Sequence, residues 1–325
     1  MLKIAKENTL RKLVDELDHR ADVTIRGWDP ESFLPAEYAS IRALPVNMLA
    51  NNYCPTSRDV YLKQVRNINA PPNWDSYCGR AVHKLFQLLA SSAESYIRRD
   101  LQLRKFDLQK YVRTQGSRLI QKVTSDMTQV TTNIPQVRRP SQSQIDTFVE
   151  GLHKIVRMEA ETAGALIDYT LSTNLDTRLA AEFSRIFPFQ SREINLNAPP
   201  LGFSLGAKPD FLLGDIIGDI KTGQLKEFHK LTLAAYALAY EYHESRPMNF
   251  GVLLSVNLPA KRNVPIYEKT EYMVVSDVYR KAFLEKRNEK FRIVRDQVDP
   301  GEPTTRDECR ECPYFPKCRR WRVRT

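Results

Sequence analysis

The chain has 325 residues, 42% hydrophobic and 27% charged, a balance that suits a sizeable folded core and excludes a disordered or collagenous chain. Its formal net charge of +10 suits a polyanionic partner, whether nucleic acid or an acidic membrane surface. No apolar run approaches the roughly 18 residues of a spanning helix, and the N-terminal MLKIAKENTLRKLVDELDHR lacks the apolar core of a signal peptide, so a soluble, cytoplasmic protein is expected.

The first region, 1–80, combines an amphipathic helix near the start with loops rich in Pro and Asn, NNYCPTSRDVYL and NINAPPNWDSYCG. In the first of these loops Pro55 fixes the backbone after Cys54, and Ser57 is placed to cap the helix that follows. A helical region occupies 81–187. Val82, Leu85, Phe86, Leu89 and Ala93 form one apolar stripe at helical spacing, and Phe148, Leu152, Ile155 and Val156 form another. His83 is expected to open its helix, and IPQVRRPSQSQ between the two stripes reads as a loop. The third region, 188–280, changes character. INLNAPPLGFSL, PDFLLGD, IIGDIKT, FGVLLSV and EYMVVS read as strands, with the helix EFHKLTLAAYALAYEYHE between the third and the fourth. A last amphipathic helix, VYRKAFLEKRNEKFRIV, lies mostly in 281–325 and leads into a cysteine-rich tail. The whole is an α/β fold in which the helical region is a large insertion.

The chemistry is concentrated in PDFLLGDIIGDIKTG. Gly214-Asp215 suits a two-residue hairpin turn, which pairs Leu213 with Ile216, Leu212 with Ile217 and Phe211 with Gly218. Asp210 then falls opposite Asp219, and the period-2 alternation puts Lys221 on the same face. Like charges opposed across a ladder repel. Lys221 supplies one compensating cation, and a hard divalent metal with oxygen ligands would supply a stronger one. A solvent-facing, salt-bridged hairpin is the plainer reading, but these apolar strands belong in an interior, where unpaired charge is costly.

Other candidates are less sharply defined. Thr232, Tyr236 and Tyr240 share one side of their helix, where core packing is the ordinary role of a tyrosine and phosphate contact the functional one. His83 and Glu193 are each as compatible with structure or solvation as with metal binding. Arg98, Arg99, Arg104 and Lys105, with Arg319, Arg320, Arg322 and Arg324, fit either a solvated surface or a groove for single-stranded nucleic acid. Cys309, Cys312 and Cys318 form C-x2-C-x5-C, three soft ligands for zinc or an iron–sulfur cluster, with a fourth ligand to find. Cys54 and Cys78 are the candidates for it. Cys78 sits near the hard-ligand cluster, where a thiolate would mix ligand types, so Cys54 is the better choice.

Together these residues resemble the CRISPR-associated RecB-like exonucleases, the Cas "four" family, and its archaeal subtype I-A branch in particular. His83 in GRAVHKLF is similar to the family's early histidine. Asp210 in KPDFLL, with Asp219 and Lys221 in GDIKTG, resembles its PD-(D/E)xK core, and Tyr236 falls on the tyrosine of its Q-x3-Y motif, whose glutamine position holds Thr232 here. CPTSRDVYL and the distant C-x2-C-x5-C resemble its split cysteine staple. The resemblance implies a restriction-endonuclease-like core and an N-/C-terminal staple of Cys54, Cys309, Cys312 and Cys318 around a 4Fe–4S cluster. It also implies Mg²⁺ or Mn²⁺ held by Asp210 and Asp219, with His83 and Glu193 as further candidate ligands. The implied activity is metal-dependent trimming of DNA ends, often single-stranded, during CRISPR spacer acquisition, with integrase and adaptation proteins as partners and no membrane. Two other classes stay open: a catalytically weak DNA-binding subunit of an adaptation complex, and a RecB-like DNA-repair nuclease.

Overall fold

The structure is a computed structural model that describes residues 12, 15, 23–100, 108–134, 139–172, 195–203, 206–213, 215–258, 267–303, 309 and 312–318. The expected N-terminal helix lies outside these residues. Two short helices, α1 (Val46–Ala50) and α2 (Arg58–Val60, continued by a π turn over Tyr61–Val65), precede the helical region. That region holds α3 (Trp74–Asp100), α4 (Leu108–Thr124), α5 (Met127–Asn133) and α6 (Gln142–Ser172). Then come β1 (Phe211–Leu213), β2 (Ile216–Thr222), α7 (Phe228–Glu244), β3 (Phe250–Val256), β4 (Tyr267–Val274), α8 (Asp277–Asp296) and a final turn, α9 (Phe315–Cys318).

The four strands form one mixed sheet in the order β1-β2-β3-β4. β1 and β2 are antiparallel with the expected register, Phe211 to Gly218, Leu212 to Ile217 and Leu213 to Ile216; the turn glycine, Gly214, lies outside the described residues. β2 and β3 are parallel, which a tight turn cannot connect, and α7 makes the crossover between them. β4 returns antiparallel to β3. INLNAPPLGFSL is not a strand over its described part. Leu196 bridges Ala207 and Phe203 bridges Leu44, on either side of a 3-10 turn at Pro199–Leu201. Two consecutive prolines there withhold two backbone donors from any ladder.

Helices cover both faces of the sheet. The two stripes read from the sequence, Val82 to Ala93 and Phe148 to Val156, are buried in one core with Ile216, Ile220, Val252, Leu254 and Val256. On the other side Ile217, Leu253, Met273 and Val275 pack with α7, α1 and Phe283 and Phe291 of α8. Ile217 and Ile220 have opposite parity along β2, so period-2 alternation delivers them to different layers. His83 does not open its helix, because α3 begins at Trp74, where Asn73 Oδ1 accepts from Ser76 N at 2.7 Å. Ser57 does not cap α2 either. It has φ of 56°, and its hydroxyl donates to Glu289 Oε1 at 3.0 Å, tying the loop to α8 instead. No helix among the described residues is long and apolar enough to cross a membrane.

Candidate active site

The hairpin register places Asp210, just before β1, against Asp219 on β2; the ladder continues past the strand end, with Asp210 N donating to Gly218 O at 3.1 Å. Each carboxylate has found a different basic partner. His83 Nδ1, reaching down from α3, stands 2.6 Å from Asp210 Oδ1. A carboxylate accepts, so Nδ1 is the donor and a metal would meet His83 through Nε2. Asp210 Oδ2 accepts from Ile220 N at 2.6 Å. Lys221 Nζ stands 2.6 Å from Asp219 Oδ2, a charged contact.

These environments drive the two carboxylates apart. Burial alone would push Asp210 up, but the charge and hydrogen bond of His83, the Ile220 N–H and Lys221 outweigh it and hold Asp210 below the usual range. Burial pushes Asp219 up as well. Lys221 opposes that only in part, the charge of Asp210 adds to it, and Asp219 ends above its ordinary value. Burial would lower His83 and Lys221, but the facing carboxylates raise both. Tyr236 on α7 faces the same cluster. Burial, then Asp219 and Asp210, keep its hydroxyl protonated far above the ordinary range. Thr232 and Tyr240 are also buried, but Tyr240 feels Arg246, Glu244 and Asp215 near the hairpin turn, away from the acidic pair.

His83 and Lys221 border a cleft of about 1190 Å³ between the start of α3, the start of α6 and the end of β2. Gly79 lets α3 come this close, since a Cβ there would stand 3.2 Å from Thr222 Oγ1. Among the described lining residues Arg139, Lys221 and Lys226 face the single carboxylate of Asp75, a balance that suits an anionic occupant. Lining residues that escaped notice in the sequence include Tyr53, Lys226 and His229. Tyr53 packs edge-on against Phe228 at 4.9 Å and carries Lys226 Nζ 5.6 Å from its ring centroid. The available signals were the adjacency of Tyr53 to Cys54 and the position of His229 one turn before Thr232 on α7.

Four of the five cysteines draw together. The Cys54 and Cys312 thiols share a hydrogen bond, which lowers Cys54 and raises Cys312. Cys318 lies within electrostatic reach of Cys54 and Cys309. Arg58, gripped by Asp299 and Glu302, points Nη1 at Cys318 Sγ from 3.9 Å. Cys78, on α3, lines the same cleft as Cys312 but feels none of the other thiols; burial and Asp75 push it up to about 12. Glu193, Arg104, Lys105, Arg319, Arg320, Arg322 and Arg324 lie outside the described residues, as do the side chains of Arg98 and Arg99.

The donor chemistry fits both implied groups. A buried carboxylate and a partly buried one with an imidazole form a hard set, and four thiols in one neighbourhood form a soft one. Among the described residues, no three His, Cys, Asp or Glu side chains are spaced to hold a metal ion. A family model described as "CRISPR-associated exonuclease Csa1" matches residues 1–321. A protein of that name from Thermoproteus tenax is 25% identical over 299 residues, 91% of this chain and 90% of its own length. Another, from Saccharolobus solfataricus, is 23% identical over 313 residues, covering 95% and 96%. No solved structure matches the chain.

Proposed function

The chain belongs to the Csa1 family of CRISPR-associated exonucleases, and on that premise we propose that it is a metal-dependent deoxyribonuclease with a restriction-endonuclease-like PD-(D/E)xK core. In this reading it acts in the cytoplasm, trimming DNA ends, single-stranded ones in particular, for the integrase that inserts new spacers. The observation that carries the reading is the convergence of Asp210, Asp219, Lys221 and His83 beside a cleft that His83 and Lys221 line, and whose described border has more cations than carboxylates.

Asp210 and Asp219 would hold Mg²⁺ or Mn²⁺, with His83 as an added ligand. The ion, when bound, supplies Lewis acidity toward the scissile phosphate and makes water a better nucleophile at neutral pH. Lys221 orients that water and offsets charge developing on the phosphate. The Ile220 N–H holds one oxygen of Asp210 in place, so this carboxylate is aimed before any ligand arrives. Tyr236, uncharged beneath the acidic pair, presents a hydroxyl to the phosphate without adding negative charge. Elsewhere, Cys54 from the first region with Cys309, Cys312 and Cys318 from the tail would hold a 4Fe–4S cluster.

The test is cleavage of end-labelled single-stranded DNA with and without Mn²⁺. Asp210→Asn, Asp219→Asn and Lys221→Ala are each expected to lower the rate by at least about a hundredfold while the protein still melts cooperatively, and chelation is expected to stop the wild type. Activity that survives Asp219→Asn in protein free of contaminating nuclease overturns the mechanism. A wild type that binds DNA but never cuts it would leave a catalytically weak binding subunit as the correct reading.

A further inference from the structure

His229 is a buried polar group at the cleft that the proposed chemistry leaves unused. It is 4% exposed and borders the cleft beside Lys221 and Lys226. Its Nδ1 accepts a hydrogen bond from Lys226 N at 3.1 Å, which puts the ring proton on Nε2. Among the described residues Nε2 has no hydrogen-bond partner, and it is shut off from solvent. Burial first, and then the charges of Lys221 and Lys226, hold the ring neutral, down to about 3, so it works as a fixed N–H donor. A buried donor without an acceptor is costly and rare in a native fold. The cations beside it call for an acceptor that is itself negative.

We propose that His229 Nε2–H, with the ammonium groups of Lys226 and Lys221 and the edge of Tyr53, forms a subsite for the backbone phosphate adjoining the scissile one. This rests on the reading of the cleft as a DNA site. Lys221 belongs to both places, which sets the subsite directly beside the acidic cluster. The Lys226 ammonium lies over the Tyr53 ring, so it is held beside the same part of the cleft. The neutral imidazole then donates to a phosphate oxygen, a bond to a charged acceptor and therefore a strong one. Because the donor is uncharged and its tautomer is fixed by the backbone of Lys226, it selects position along the strand, whereas the two lysines supply attraction at longer range.

The experiment measures binding of the full chain to fluorescein-labelled single-stranded DNA in EDTA, using oligonucleotides in which one phosphate at a time is an uncharged methylphosphonate. The wild type is expected to weaken at several positions. His229→Ala is expected to bind unmodified DNA on the order of tenfold to a hundredfold more weakly and to lose its sensitivity at one position only, with His229→Gln recovering part of the affinity. A folded His229→Ala protein with the wild-type affinity and pattern overturns the subsite and leaves the DNA reading standing. If His229→Ala does not fold, Lys226→Ala, at a partly exposed side chain, carries the test. Lost sensitivity at a single phosphate supports the subsite, and an unchanged pattern overturns it. A wild type indifferent to every replacement, or unable to bind DNA, removes the DNA reading and the subsite with it.

Discussion

His83 and His229 border the same cleft with opposite acid–base character. Burial opposes charge on both, but His83 faces Asp210, whose pull wins and raises it, whereas His229 faces two ammonium groups and falls to about 3. The consequences for stability have opposite signs. His83 is raised above its unfolded value, so its contribution is fully present below about pH 6.5 and fades as pH rises through the folded value. His229 is depressed, so its contribution is present above about pH 6.5 and fades on acidification, as the unfolded chain takes up a proton that the native ring refuses. The wild type is therefore expected to lose on the order of 1–3 kcal/mol between about pH 7 and pH 4.5 through His229, and His229→Gln to lose less over that range. Urea denaturation of both proteins at a series of pH values checks this, and parallel curves for the two would rule it out.

At the scale of elements, the β1–β2 hairpin is legible in the sequence alone because its constraints agree. The apolar alternation, a Gly-Asp turn and the cost of moving Asp219 to the opposite face all select one register. Glycines in two neighbouring elements separate what such local signals reveal from what they hide. A Cβ on Gly218 would stand 2.1 Å from the Phe211 ring of the paired strand, whereas one on Gly79 meets only Thr222 Oγ1 at 3.2 Å. Gly218→Ala is therefore expected to destabilise by about 1–3 kcal/mol. Gly79→Ala should be close to neutral, because alanine's helix preference of about 1 kcal/mol offsets a small shift of the Thr222 hydroxyl. Chemical denaturation of the two variants distinguishes them, and equal losses would show that the Phe211 ring yields freely. The long helical stripes are legible for the same reason as the hairpin, since their period recurs over several turns and ends in a buried core. What escapes a reading of the sequence depends on distant partners. Ser57 turns from a cap to Glu289 of α8, and the tautomer of His229 is set by the turn leading into α7, which no periodicity reports.

Across the whole molecule, α8 fastens the N-terminal segment to the sheet with three buried cations. Arg280 donates to Ile25 O and to Glu241, Arg287 to Ser32 O and Phe33 O, and Lys290 to Met48 O and Asn51 O. Glu241 also accepts from Arg26 and from Gly27 N. These bonds bring the chain to Cys54 in a fixed position, and Arg58, paired with Asp299 and Glu302, brings the segment after α8 to meet it. The proposed cluster would therefore close a junction that protein contacts have already assembled, and its binding energy would add to that of folding. Of the two candidates for the fourth thiolate, Cys54 is lowered by its bond to Cys312, and Cys78 is raised by burial beside Asp75. The other proposed ligands, Cys312 and Cys318, are raised as well, so it is position beside Cys312 that favours Cys54. Cys54→Ala is expected to emerge from anaerobic purification pale, nearly free of iron and less resistant to heat. Cys78→Ala should keep the iron content and absorbance of the wild type. Iron lost with Cys78 and retained without Cys54 would transfer the ligand to α3, and wild-type protein holding zinc with no iron would remove the iron–sulfur assignment while leaving the four-cysteine junction in place.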